Sequence, residues 1–214
     1  MIGSAGSGER AYHHGNLREA LVEAGLQLAR TGGPGAVVLR AASREAGVSH
    51  NAVYRHFAGQ EDLLAAVAQR CMRELSKLMI ARMDAVTARG RVARATARLD
   101  AIGRAYIDFA RTEPGWFRTA FSSSRAHPPV TPAADPVKPD GGTEDPLANP
   151  YDILVAGLDD LVEVGVMTPE NRVGAEYVSW SKVHGISTLL LDGPLHDLPE
   201  PEVEFAIDSV LNTH

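Results

Sequence analysis

LRAASREAGVSHNAVYRHF, residues 39–57, reads as two short helices joined by a tight turn. Leu39 to Ala46 is rich in good helix formers and places Ala42 and Ala46 four apart on one face. Gly47 follows, the residue a chain uses where it needs φ > 0 after a helix. Val48 is apolar and can plug the gap between the helices. Ser49 suits an N-cap, its hydroxyl placed to accept from an N–H of the next turn. His50 to His56 then forms the second helix, with Val53 and Phe57 four apart facing inward. Its other face carries His50, Asn51, Tyr54, Arg55 and His56. The inward residues Ala42, Ser43, Ala46 and Gly47 are small, so the helices can approach closely and cross steeply. That pattern fits a helix-turn-helix, whose second helix enters the major groove of DNA. It also fits a helical hairpin that is only scaffold, so the flanking sequence has to decide.

Outward on the N-terminal side, Asn16 to Thr31 reads as a helix. Asn16 can cap it with Glu19 as a capping-box partner. Leu17, Leu21, Ala24 and Leu28 form one apolar stripe. Thr31-Gly32-Gly33-Pro34-Gly35 ends it, and the three helices make a small bundle. On the C-terminal side Ala58-Gly59 breaks the chain, and Gln60 starts a helix expected to reach about Ala88. Glu61 and Asp62 suit its positive end. Leu64, Val67, Cys71, Leu75, Leu78 and Val86 stripe one face. A helix of that length can pack in both the N-terminal bundle and the rest of the molecule.

AGVSHNAVYRHFAGQEDLLAAV, residues 46–67, resembles the N-terminal domain of the tetracycline-repressor (TetR) family of one-component transcription regulators. The likeness lies in Ala46-Gly47-Val48-Ser49, Tyr54 with His56-Phe57, and Glu61-Asp62-Leu63-Leu64, and covers roughly residues 13–70. Trp180-Ser181-Lys182-Val183-His184-Gly185, with Leu189 to Gly193, is similar to the ligand-domain subgroup named after its Trp, His and Gly. The resemblance implies a DNA-binding set of Arg40, Ser49, His50, Asn51, Tyr54, Arg55 and His56. His50 and Asn51 sit where base edges are read, and Tyr54 and His56 where phosphates are held. The residue types suit those roles: Asn pairs bidentately with adenine, and Tyr and Arg suit phosphate oxygens. Two positions depart from the pattern. Gln60 replaces a common lysine at the foot of the fourth helix, and Ala52 a frequent threonine.

The rest of the chain is helical in pattern. Gly90 breaks the long helix, and Arg91 to Thr112 follows, with Leu99, Ile102, Tyr106 and Phe109 inward. Pro114-Gly115 ends it, and Trp116, Phe117 and Phe121 form a short aromatic segment of one or two helical turns. Ser122 to Pro150 holds seven prolines in 29 residues, and reads as a mobile loop. Tyr151 to Gly165 is helical again. Thr168-Pro169-Glu170 is a start signal for a helix running to Leu191. Pro199 and Pro201 precede the last helix. The expected fold is all-α with about nine helices. Its division is a flexible tail at 1–12, a DNA-binding domain at 13–59, and a ligand-binding and dimerisation domain at 60–214 with the loop at 122–150.

Tyr106, Trp116, Phe117, Phe121, Trp180 and His184 are candidates for a ligand pocket, although aromatic residues at helical spacing also serve as plain core. The last two helices carry more apolar surface than one chain obviously uses: Val178, Ile186, Leu189, Leu190, Val203, Ile207, Val210 and Leu211. Two such helices from each chain would form a four-helix dimer interface about a two-fold axis.

Composition narrows the function. The chain has 214 residues, 44% hydrophobic and 22% charged, with net charge −6. The charge is uneven. Residues 1–58 hold six Arg against four Glu, residues 70–125 twelve basic against five acidic, and residues 126–214 three basic against sixteen acidic. One cysteine, Cys71, allows no disulfide within the chain and fits a reducing cytosol. No apolar run is long enough to span a membrane, and residues 1–9 lack signal-peptide character. There is no CxxC, HExxH, GxSxG or Gly-rich phosphate loop. His50 and His56 are badly spaced to share a metal, and His184 has no carboxylate three or four residues away. No metal, cofactor or enzyme activity is expected. The reading is a cytoplasmic homodimeric repressor that binds a pseudo-palindromic operator and releases it on binding a small-molecule effector. The alternatives are a helical ligand- or partner-binding module without DNA contact, and an enzyme.

Overall fold

The computed structural model describes residues 17–122 and 149–212. The expected tail, the Asn16 cap, His13-His14 and nearly all of the proline-rich loop lie outside them. The described residues form ten α-helices and one 3-10 turn, with no strand among them. α1 spans Leu17–Gly32, α2 Leu39–Glu45, α3 His50–Val53, α4 Gln60–Asp84 and α5 Arg91–Thr112. α6 spans Pro114–Ala120, α7 Pro150–Glu163, α8 Pro169–Arg172, α9 Ala175–Leu191 and α10 Glu200–Leu211. The 3-10 turn is Pro34–Ala36.

The all-α class holds, with four local differences from the sequence reading. The expected helix from Pro169 to Leu191 is two helices, because Val173 leaves helical geometry and Gly174 takes φ 77°. Positive φ is a conformation that glycine adopts without steric cost. α4 ends at Asp84 rather than near Ala88. Adjacent β-branched Val86 and Thr87 follow, poor helix formers, and Gly90 turns with φ 90°. α3 is a single turn, with Tyr54 to His56 continuing as turns held by His56 N–H to Val53 O at 2.9 Å. Pro114 starts α6 instead of merely ending α5. It fits there because a first-turn residue needs no backbone donor. The Thr168 cap is as expected, its hydroxyl accepting from Asn171 N–H at 3.3 Å.

Three apolar cores follow from these elements. The first collects Leu21, Leu26, Val37, Ala42, Val53, Phe57, Leu63, Val67 and Met72 with Ala120 of α6. The second holds Leu75, Met79, Ile102, Tyr106, Phe109, Phe117 and Ile153. The third holds Ile107, Ile186, Leu190, Val203 and Ile207. α4 is therefore shared, giving its residues up to Met72 to the first core and those from Leu75 to the second. Ionic pairs fasten α10 beside α5. Arg104 pairs with Asp208, and Arg111 with Glu200 at 2.6 Å and Glu204 at 3.2 Å. Cys71 is fully buried in the first core, and burial pushes its thiol up to about 12.

Candidate DNA-reading surface and ligand site

The reading unit is built as the spacing dictates, apart from the shortened α3 and one cap. Gly47 turns with φ 66°, and Val48 N–H donates to Ser43 O at 2.9 Å, closing the turn. Val53 and Phe57 are buried against α1 and α4. The Arg18 guanidinium lies over the Phe57 ring at 5.1 Å, a cation–π contact that ties α1 to the end of the unit. Ser49 stands at the N-cap with extended backbone, but its hydroxyl makes no capping hydrogen bond. That corrects the expected side-chain cap. The first turn of α3 is instead joined through backbone, with Ala52 N–H donating to Ser49 O at 2.9 Å.

Arg40, Ser49, His50, Asn51, Tyr54, Arg55 and His56 are all exposed. A ring-edge contact at 5.1 Å orders His50 against Tyr54. Tyr54 is 54% exposed, unusual for an aromatic residue beside a core. Arg44 shares this exposed surface, and the sequence reading did not name it. It is exposed in the last turn of α2, four residues after Arg40, so the spacing was there to be read. Glu19, whose expected capping partner Asn16 lies outside the described residues, accepts from Arg70 of α4 at 2.6 Å.

Five of the six pocket candidates come together. His184 on α9 lies 4.8 Å from the Phe121 ring, 5.5 Å from Phe117 and 6.3 Å from Tyr106. Trp180, one helical turn earlier, reaches Phe121 at 6.4 Å. Tyr151 of α7 joins them, 5.5 Å from Trp180. The sequence reading missed it, although it shares a helical face with Leu154 and Leu158. The Tyr106 hydroxyl and His184 Nδ1 are 2.8 Å apart. Burial pushes the Tyr106 phenol far above its ordinary range.

Trp116 is placed elsewhere. Its ring stacks on Phe109, its indole N–H donates to Leu26 O at 2.8 Å, and the Arg30 guanidinium lies over it. It fills the joint between α6 and α1 rather than the nest around His184. The same joint contains a two-point ion pair, Arg30 Nε to Glu113 at 2.8 Å and Arg30 Nη2 to Glu113 at 2.5 Å. Gly115 makes the approach possible. A Cβ there would stand 2.3 Å from the carbonyl oxygens of Ala29 and Arg30. At its other end α6 meets α9, through Phe117 and Phe121 on His184 and through Arg118 on Asp192 at 3.0 and 2.5 Å.

The expected dimer set divides. Ile186, Leu190, Val203 and Ile207 are buried within the single chain, where they face Ile107 of α5. Val210 and Leu211 are partly buried against them. These six already have intrachain partners, which corrects the inference that α9 and α10 carry surplus apolar surface there. Val178 and Leu189 are exposed, at 55% and 40%. Phe205 is 73% exposed and was missed, because it lies off the Val203–Ile207 stripe. Among the described residues no group of acidic, His or Cys side chains could hold a metal ion, and no helix is long and apolar enough to cross a membrane.

The family model for bacterial regulatory proteins of the tetR family matches residues 21–67. The model for the tetracyclin repressor-like C-terminal domain matches residues 99–213, more than half of the chain. A protein of unknown function from Rhodococcus sp. RHA1 is 24% identical, with TM-score 0.67 over 95% of this chain and 97% of that one. A TetR family transcription regulator from Marinobacter aquaeolei VT8 is 16% identical, with TM-score 0.56 over 91% and 93%. The fatty acid degradation regulator FadR of Bacillus halodurans is 13% identical, with TM-score 0.60 over 97% of both. These structures share the fold; a comparison with proteins of curated function gives no match. With an exposed reading unit at one end and the matching helical domain behind it, the chain belongs to the TetR family: it is a DNA-binding transcription regulator with a ligand-binding C-terminal domain.

Proposed function

We propose that the protein is a cytoplasmic homodimeric repressor that binds a pseudo-palindromic operator and releases it when a small molecule enters the aromatic nest. Residues 13–59 form the reading domain and 60–214 the ligand and dimer domain, with α4 crossing between their cores. His50 and Asn51 read base edges; Arg40, Arg44, Ser49, Tyr54, Arg55 and His56 hold phosphates. One α3 covers too few base pairs for selectivity, so two are coupled on successive major grooves. Phe205, Val178, Leu189 and Tyr177 are the large hydrophobic side chains on α9 and α10 left for a second copy.

The observation that carries this reading is α6. It touches the α1 backbone through Trp116 and the nest through Phe117 and Phe121. Parting the nest to admit a ligand moves Phe117 and Phe121, and the same short helix moves α1. In this reading α4, shared between the first two cores, and α6 act together as the mechanical link. Fluorescence anisotropy with duplexes from beside the coding gene tests the proposal. Sequence-selective binding that the effector weakens is the expected result. Equal affinity for scrambled duplexes would overturn it.

A further inference from the structure

His50 opens α3, and Tyr54 directly follows the last residue of that helix. Tyr54 still has right-handed helical backbone, φ −66° and ψ −11°. At a spacing of four residues the two side chains therefore emerge as neighbours on one face. Val53 and Phe57, both buried, hold this backbone from beneath. On the outer side the two rings meet edge to face, with 5.1 Å between centroids and 82° between planes. In that geometry the positive edge of one ring meets the negative face of the other. Both side chains are exposed, so the contact lies on the surface that faces DNA rather than in the core.

An exposed imidazole has more than one rotamer open to it, and only an orientation that meets the base edge reads a base. Freezing such a side chain at the moment of binding costs affinity, and a neighbour that already holds it removes that cost. The Tyr54 ring is such a neighbour. Its hydroxyl projects from the far end of the same ring and suits a phosphate oxygen. We infer that Tyr54 is a positioning residue for base reading: its ring fixes the His50 imidazole toward the base edge while its hydroxyl holds the backbone. This rests on the proposal that His50 reads a base. One side chain then ties register on the phosphates to the choice of one base pair. The competing role is a staple that only stiffens the one-turn α3. A staple carries no sequence information, so the two roles predict different patterns of loss.

The probe is the duplex that the wild-type full chain selects from a library randomised at its centre, with all single-base-pair variants of that duplex. Fluorescence anisotropy at one fixed salt concentration compares wild type, His50→Ala, Tyr54→Phe, Tyr54→Ala and the double alanine variant. His50→Ala is expected to flatten preference at one base pair of each half-site. Tyr54→Ala should lower discrimination at that same pair roughly three- to tenfold. The double variant should lose no more there than His50→Ala alone. Tyr54→Phe keeps the ring and should keep the preference, while binding every duplex more weakly. Nuclear Overhauser contacts between the two rings should persist in the wild-type complex, a readout that needs no variant. Uniform weakening of all duplexes by Tyr54→Ala, with preference intact, would overturn the inference, as would loss of the ring contacts on binding. If His50→Ala leaves every preference intact while Asn51→Ala does not, His50 is no base reader; the inference falls and DNA reading stands. If the library yields no selected duplex, the DNA-reading proposal itself fails.

Discussion

Trp116 on α6 donates its indole N–H to the backbone carbonyl of Leu26 on α1 at 2.8 Å, across the junction between the reading bundle and the rest of the chain. Trp116→Phe keeps an aromatic ring beside Phe109 and removes that bond. The expected loss of stability is about 0.5–1.5 kcal/mol. Operator affinity in the absence of effector should stay within a few-fold of wild type, while the effector-driven loss of affinity shrinks. A full effector response from the variant, measured by anisotropy, would remove Trp116 from the coupling route.

Gly115 sits at the closest approach of the same two helices. Gly115→Ala puts a methyl 2.3 Å from two backbone oxygens, so α1 and α6 must separate. Backbone carbonyls cannot swing aside as side chains do. We expect a cost on the order of 2–4 kcal/mol in urea unfolding, at the large end for one methyl because the clash is with backbone. A stability change below half a kilocalorie would show that the junction is looser than these distances.

Asn51→Ala should cost ~1–3 kcal/mol on the operator and relax preference at one base position. Tyr54→Phe should weaken all duplexes alike, because a phosphate contact carries no sequence information. Titration against single-base operator variants separates the two. Equal losses on cognate and random duplex for Asn51→Ala would take it out of base reading.

Phe205→Asp and Ile207→Asp are two residues apart on α10 and should behave differently. Phe205 is 73% exposed in the single chain and Ile207 only 3%. Phe205→Asp is expected to give a folded monomer that no longer binds the operator. Ile207→Asp buries a charge in the third core and should unfold α10. Sedimentation with circular dichroism reads both. A Phe205→Asp protein that stays dimeric at micromolar concentration would move the interface elsewhere.

The buried thiol sets an alkaline limit. Burial raises Cys71 to about 12 from an ordinary value of 9.0. The unfolded chain therefore releases this proton at lower pH than the folded one. Its contribution to stability is complete below about pH 9 and declines as pH rises towards 12. Tyr106, also raised by burial, acts in the same direction. Thiol reagents at neutral pH should label Cys71 only at the rate of unfolding. Rapid labelling of folded protein would contradict this placement.

What the sequence made legible follows periodicity and punctuation. The reading unit was readable because Gly47, Val53 and Phe57 leave few alternatives for its turn and inward face. The α8–α9 break was not, since Thr168-Pro169 announces a start and Gly174 alone does not announce a second one. Placement of Trp116 was hidden for another reason. Helical spacing tells which face a residue occupies but not which neighbour that face meets, so Trp116 and Phe117 looked equivalent. They meet different neighbours, Trp116 the backbone of α1 and Phe117 the His184 ring of α9. The dimer candidates divide for a similar reason: Ile186, Leu190, Val203 and Ile207 were correctly read as apolar faces, and the pairing of α9 with α10 and α5 inside one chain was not visible. Phe205, off its own helix's apolar stripe, is exposed, and periodicity did not single it out.

The most direct test of the account is a reciprocal titration of operator and effector on one preparation. Labelled duplex from beside the coding gene is titrated with protein at several effector concentrations, and effector is titrated with and without saturating duplex. If α6 couples the nest to the reading helices, effector lowers operator affinity, and operator lowers effector affinity by the same factor. A hundredfold change corresponds to about 2.7 kcal/mol of differential binding. An effector shown to contact His184 that leaves operator affinity unchanged would contradict the account.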